Sequence, residues 1–154
     1  MLPKKILFCT DFSENSEPAR QLAAAYAKAF DAQLLIVHVI DSDRLPDPLD
    51  WVGEEHNAEW ADETLKQILK RTKESANAQL ESVARECGNQ AEQVKTYCRI
   101  GLPPNEIVAL ASEESVDLIV AGTHGRTGVK HLVMGSISRG VLKMAPQPVL
   151  IVKA

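Results

Sequence analysis

The chain has 154 residues, 45% of them hydrophobic and 25% charged, with a net charge of -4 and a pI near 5.6. A length of this order suits one domain, here spanning residues 1–154, that buries roughly two-thirds of its unfolded surface. The acidic balance is wrong for a nucleic-acid footprint, and no run approaches the ~18 apolar residues of a membrane span, so neither DNA, RNA nor a bilayer core is an expected partner.

In chain order, Lys5–Thr10 (KILFCT) is a short apolar run behind two lysines, which reads as a buried strand stopping at the turn-forming DFSENS. Nothing there has the apolar stretch and small-residue cleavage site of a secretory signal. Pro18 suits a first helical turn, and Leu22, Ala23, Tyr26, Ala27 and Phe30 recur at helical spacing behind it. Gln33–Ile40 (QLLIVHVI) is apolar on both faces apart from His38, the pattern of a central strand covered on each side. His38 itself reads as a packing residue, since no second histidine or carboxylate stands at metal-ligand spacing from it.

The next segment, Asp41–Glu55, holds two prolines, a glycine and many carboxylates, and is expected to be a mobile surface excursion. Trp51 and Trp60 flank it and are expected to pack. From Asn57 to Cys87 there is neither proline nor glycine, and Leu65, Ile68, Leu69, Thr72, Ala76, Leu80, Val83, Ala84 and Cys87 share one face of a long helix that Gly88 stops. Gln93–Arg99 alternates loosely with charges, as a strand near a sheet edge does. A third helix carries Ile107, Val108, Leu110 and Ala111, then Asp117–Ala121 is another buried strand. A glycine-bearing loop, a short helix over about Gly135–Met144 and a last strand, Pro148–Val152, close the chain.

This alternation predicts an α/β fold: a single doubly wound, five-stranded parallel sheet, Rossmann-like, with helices on both faces. Ligands of such sheets sit at the carboxyl ends of the strands where the chain order reverses. The places to look are Thr10-Asp11, Val39–Asp41 and Gly122 onward. The three cysteines, Cys9, Cys87 and Cys98, include no CxxC pair, so neither a disulfide framework nor a zinc site is expected, and reduced thiols point to the cytoplasm.

The stretch Gly122–Ser138 leaves a strand and opens a helix, where unpaired amides, the positive end of the helix dipole and glycines without a Cβ suit an anion. Ser136 and Ser138 add hydroxyls; Arg126, Lys130, His131 and Arg139 add positive charge in an acidic chain. On the residues alone a second reading stands beside this one: glycines that turn the chain, a serine that caps the helix and a solvated basic face. Neither GxxxxGK[ST] nor GxGxxG occurs, which argues against a P-loop hydrolase and a common dinucleotide-binding dehydrogenase.

The spacing Gly122-x2-Gly125-x9-Gly135-Ser136, with a further hydroxyl at Ser138, resembles the glycine motif of the ATP-binding branch of the universal stress protein family. The stretches ILFCTDFSENSEPA, LLIVHVID, IVAGTHGRTGVKHLVMGSISRGVL and APQPVLIVK are similar to that family in order and spacing. The resemblance implies the adenine nucleotide alpha hydrolase-like version of the fold and ATP, with Mg2+, as ligand. It implies Thr10 and Asp11 beside the adenosine and metal region, with Asp11 as the Mg2+ carboxylate. It implies main-chain groups of Val39 against the adenine, and Gly122, Thr123, Gly125, Arg126, Gly135, Ser136, Ile137 and Ser138 around the ribose and phosphates. It further implies a nucleotide-dependent regulatory or stress-response switch, with slow ATP hydrolysis or nucleotide transfer as the alternative; the residues offer donors and cations but no evident dedicated base, so no efficient enzyme is expected. Last, it implies a homodimer through the C-terminal strand, which agrees with the exposed apolar edge that PVLIV would otherwise present.

Overall fold

The structure is a computed structural model, described here for residues 2–88, 93–124 and 134–154. The apolar runs become parallel strands β1 (Lys5–Cys9), β2 (Gln33–Asp41), β3 (Val94–Gly101), β4 (Leu118–Gly122) and β5 (Val149–Val152). Helices α1 (Glu17–Phe30), α2 (Ala58–Gly88), α3 (Pro103–Glu113) and α4 (Ser136–Met144) connect them. The strands stand in the order β3-β2-β1-β4-β5, the doubly wound five-stranded sheet read from the sequence.

Side chains alternate along a strand, so an apolar run buries two layers at once. Ile6, Phe8, Leu34, Ile36 and Val120 meet α1 and α2 through Ala19, Ala23, Ala24, Ala27, Leu80 and Cys87. The intervening Leu7, Leu35, Val37 and Ile119 meet α3 and α4 through Ile107, Leu110, Ala111 and Val141. The four alanines let α1 lie close on the sheet. Arg20 ties α1 to α2: its guanidinium pairs with Glu17, stands 3.5 Å from Glu86 and reaches Cys87 Sγ at 3.9 Å.

β3 forms one edge of the sheet, as its charged alternation predicts, and runs two residues further than expected, to Gly101. β5 forms the other edge. The excursion after β2 has local order of its own, in two 3-10 turns at Ser42–Arg44 and Pro48–Trp51. Each opens on an aspartate that accepts a backbone N-H two residues on, Asp41 from Asp43 at 3.1 Å and Asp47 from Leu49 at 2.9 Å. Aspartate competes for backbone donors in this way wherever no ladder engages them. The chain steps from β1 to β2 to β3 in one direction, then crosses to β4 and β5 on the other side of β1. The order therefore reverses between β1 and β4, and their carboxyl ends diverge into a crevice.

Candidate functional site

A cleft of about 710 Å³ opens at that reversal, lined by the ends of β1, β2 and β4, the start of α4, and a wall from α2 and the excursion. Its volume falls in the range of small-molecule and cofactor sites. Thr10 sits at its floor, buried, with its N-H donating to Val37 O at 3.0 Å and its hydroxyl oxygen accepting the Phe12 N-H at 3.0 Å. Asp11 Oδ1 accepts both the N-H of Ser13, at 3.0 Å, and the Ser13 hydroxyl, at 2.6 Å. Its carboxylate thus shapes the turn leaving β1 while lining the cleft.

Between Asp11 and Ser13, Phe12 is held at φ 64°, a left-handed conformation uncommon for a residue with a side chain. That twist lays the Phe12 ring against His38, with centroids 4.3 Å apart. His38 Nδ1 donates to the Thr10 carbonyl at 2.9 Å, which fixes the proton on Nδ1 in the neutral ring. His38 is the packing residue expected, and it also faces the cleft.

Val39 is placed by strand alternation. The N-H of Gln33 bonds Lys4 and the carbonyl of Val37 bonds Thr10, so residues 33, 35, 37 and 39 turn their amide groups toward β1. The β1-β2 register ends at Cys9↔Val37, two residues short of Val39. The N-H and C=O of Val39 therefore point into the space that β1 has left, an adjacent donor and acceptor at the cleft wall.

On the far side, Gly122, Gly135, Ser136, Ile137 and Ser138 line the cleft. Gly135 is the N-cap of α4 and offers no side chain, so the first-turn amides of this nine-residue helix have no side-chain cap. A Cβ on Gly135 would come within 3.2 Å of the Thr123 carbonyl, and one on Gly122 within 3.2 Å of the Asn15 carbonyl, so glycine permits the close approach of three backbone segments. Ser136 and Ile137 are exposed at the helix start.

Two residues behave differently from expectation. The Ser138 hydroxyl donates to Gly122 O at 2.6 Å and fastens α4 to the end of β4; its hydrogen is committed there and not aimed at a ligand. Thr123 does not line the cleft: its N-H bonds Val152, its carbonyl accepts from Gly135, and its hydroxyl meets His124 Nδ1 at 2.9 Å. A tightly connected turn needs its residues for itself. Gly125 and Arg126, with Lys130 and His131, lie outside the described residues. Arg139 donates to the Met134 carbonyl at 2.9 Å.

The α2 wall was not anticipated. Thr72, Ser75 and Gln79, with Ile68 and Arg71, face the cleft together with Arg44, Leu45 and Pro46. The signal was present in Thr72, a hydroxyl standing within the apolar stripe of α2. Cys9 also lines the cleft, and burial pushes its thiol up to about 12, so it is a neutral, inert group at physiological pH. His124 Nε2 is buried and has no hydrogen-bond partner among the described residues. Among those residues, no three His, Cys, Asp or Glu side chains gather as a metal cage.

Residues 3–153 match the model of the universal stress protein family. The chain belongs to that family. The universal stress protein MJ0577 of Methanocaldococcus jannaschii is 34% identical over 97% of this chain and 94% of its own length. The solved structure of MJ0577 superposes with a TM-score of 0.86 at 30% identity, covering 100% of this chain and 98% of that one. Two further solved structures share the fold: a universal stress protein in complex with cAMP (TM-score 0.65, 22% identity, 99% and 98% covered) and one from Archaeoglobus fulgidus in complex with dAMP (TM-score 0.61, 20% identity, 98% of each covered). Among the described residues of this family member, no helix is long and apolar enough to cross a membrane.

Proposed function

We propose that the cleft binds ATP with Mg2+ and that the protein acts in the cytoplasm as a nucleotide-dependent regulatory switch. The observation that carries this reading is the pairing, across one cleft, of the Val39 main-chain edge with the uncapped first turn of α4 behind Gly135. An adjacent N-H and C=O complement the acceptor and amino donor of adenine. The start of α4 behind Gly135 supplies amides and a positive dipole for phosphates. The orphaned His124 Nε2 gains a partner if a phosphate oxygen lies beside it. Relatives of the same fold crystallised with cAMP and dAMP support an adenine ligand.

Mg2+ takes one or two protein carboxylates and fills its shell with water and phosphate oxygens. Asp11 fits that role as the carboxylate nearest the β1 end of the cleft, with no protein cage required. The carboxylates facing the cleft favour binding over turnover. Asp11 is held by Ser13, and Asp41 accepts from Asp43 and pairs with Arg44 at 3.3 Å, so both are engaged in local structure. Slow hydrolysis or nucleotide transfer is the second reading, favoured by His124 as a group with one engaged and one open nitrogen. Multiple ATP turnovers per minute by the purified protein would select it. The switch reading is tested by denaturing freshly purified protein and identifying released nucleotide by chromatography: an adenine nucleotide near one per chain is expected, and a guanine or flavin compound would overturn it.

We further propose a homodimer through β5. The carbonyl of Pro148, just before β5, accepts from Ile119 of β4, and that of Val152 accepts from Thr123 just past it, so alternation turns the N-H of Ile151 toward the open edge. Proline is tolerated on an edge strand where the lost N-H faces outward. Ile151→Pro is therefore expected to leave the fold intact and convert a dimer to a monomer, read by light scattering; an unchanged dimer would place the interface elsewhere.

A further inference from the structure

The excursion and the start of α2 carry a surface that neither the cleft nor the β5 edge uses. Leu49, Val52 and Trp60 are 74%, 45% and 43% exposed. Trp60 stacks on His56 with centroids 3.9 Å apart and meets Trp51 edge-on at 6.4 Å. These apolar groups stand on a framework that is already built. Asp47 caps the turn carrying Leu49, Gly53 N-H bonds the His56 carbonyl at 2.9 Å, and Asn57 Oδ1 accepts the Trp60 N-H at 2.9 Å. A preformed apolar surface binds with little ordering penalty.

Its charge is one-sided. Residues 45–65 contain seven carboxylates and no lysine or arginine, so they carry -7 against -4 for the whole chain and leave the rest at +3. Lys66 pairs with Asp62 at 2.8 Å at one border, and Arg44 pairs with Asp41 at the other. The remaining carboxylates are interleaved with the exposed Leu49, Val52 and Trp60 along the same segment.

We infer that this surface docks a cationic amphipathic segment of a partner protein, with apolar side chains seated on Leu49, Val52 and Trp60 and flanking Lys or Arg against the carboxylates. The charge decides among occupants. A second copy of this face, an anionic membrane and a nucleic acid all repel it, whereas a basic amphipathic helix satisfies both its components. The surface belongs to the β3 side of the sheet, where the excursion contacts β3 and α2, and β5 is the opposite edge. Pairing through β5 leaves it open.

The chain has two tryptophans, Trp51 and Trp60, so tryptophan emission, excited at wavelengths where tyrosine does not absorb, reports on this surface alone. The test titrates the full-length protein with a Leu-Lys amphipathic peptide of about 18 residues, long enough to form a helix, and with a Ser-Lys peptide of equal length and charge. The expected result is a saturable emission change with the Leu-Lys peptide and binding at least about tenfold weaker for the Ser-Lys peptide. Leu49→Ser combined with Val52→Ser is expected to weaken binding about tenfold with an unchanged thermal melt, because both side chains are exposed. Glu54→Lys combined with Glu55→Lys is expected to weaken it as well. Equal binding of the two peptides, equal binding by the Leu49/Val52 variant, or no binding tighter than about 1 mM at low salt overturns the inference.

Discussion

Ser136→Asp is expected to weaken ATP binding about 30-fold while leaving the protein as stable as before or slightly more so. The two effects have opposite signs because they arise from the same dipole. Ser136 is the exposed first residue of α4, Gly135 gives it no cap, and the first turn holds no acidic side chain. A carboxylate there meets the positive helix end and stabilises the native state by about 0.3–1 kcal/mol. Nucleotide phosphates compete for that same end. A unit charge about 4 Å from a phosphate oxygen repels it by about 4 kcal/mol at an effective dielectric of 20, and solvent at an exposed position cuts this to about 2 kcal/mol. Isothermal titration calorimetry and a thermal melt on one sample separate the two quantities. An unchanged ATP affinity would show that the phosphates do not approach α4.

Gly140→Val is expected to destabilise the fold by about 2 kcal/mol, against the direction that helix propensity gives, and to weaken nucleotide binding with it. Gly140 lies inside α4, where valine is intrinsically the better helix former by a few tenths of a kcal/mol. Yet a Cβ at this position would stand 2.8 Å from Pro104 Cγ and 2.9 Å from Cβ. Pro104 belongs to the first turn of α3, and its ring cannot rotate away. Overpacking of this kind costs about 1–3 kcal/mol, so contact outweighs propensity. For a chain of this length the loss lowers the melting temperature by about 4–8 °C. Relief comes by moving α4 off α3, and the helix start that faces the cleft moves with it. A raised melting temperature would mean that the contact between the two helices gives way freely.

The fold was largely legible because its signals are local and redundant. Gln33–Ile40 has apolar residues on both faces and became the strand paired on both sides; Val94–Gly101 alternates and became an edge. The long stripe of α2 was read almost residue for residue, since no glycine or proline interrupts it. The site was legible where glycine and helix start coincide, at Gly122 and Gly135–Ser138. It was not legible where the candidate site rests on main-chain direction. Val39 earns its place through the point at which β1 ends, and an apolar side chain in a strand carries no trace of that. The left-handed twist at Phe12 is likewise invisible in a residue that elsewhere avoids it. Ser138 shows the converse: a hydroxyl in a phosphate motif is as well suited to a neighbouring carbonyl, and the spacing alone does not choose. The α2 wall depended on long-range packing, with Thr72 as its single local sign.

The two edges of the sheet divide the labour: the proposed pairing of copies uses the β5 edge, the acidic apolar surface stands on the β3 side, and the cleft lies between them at the reversal of chain order. Arg44, Leu45 and Pro46 line the cleft and lead directly into the turn that bears Leu49 and Trp51, so the cleft and the proposed docking surface share one segment of chain.

Calorimetric titration of nucleotide-free protein with ATP, with and without Mg2+ and beside GTP, tests the central claim most directly. One site per chain is expected, with a dissociation constant tighter than about 1 mM, tighter still with Mg2+, and with GTP at least about tenfold weaker because the Val39 edge matches adenine. Absence of ATP binding in that range, or equal binding of GTP, would contradict it.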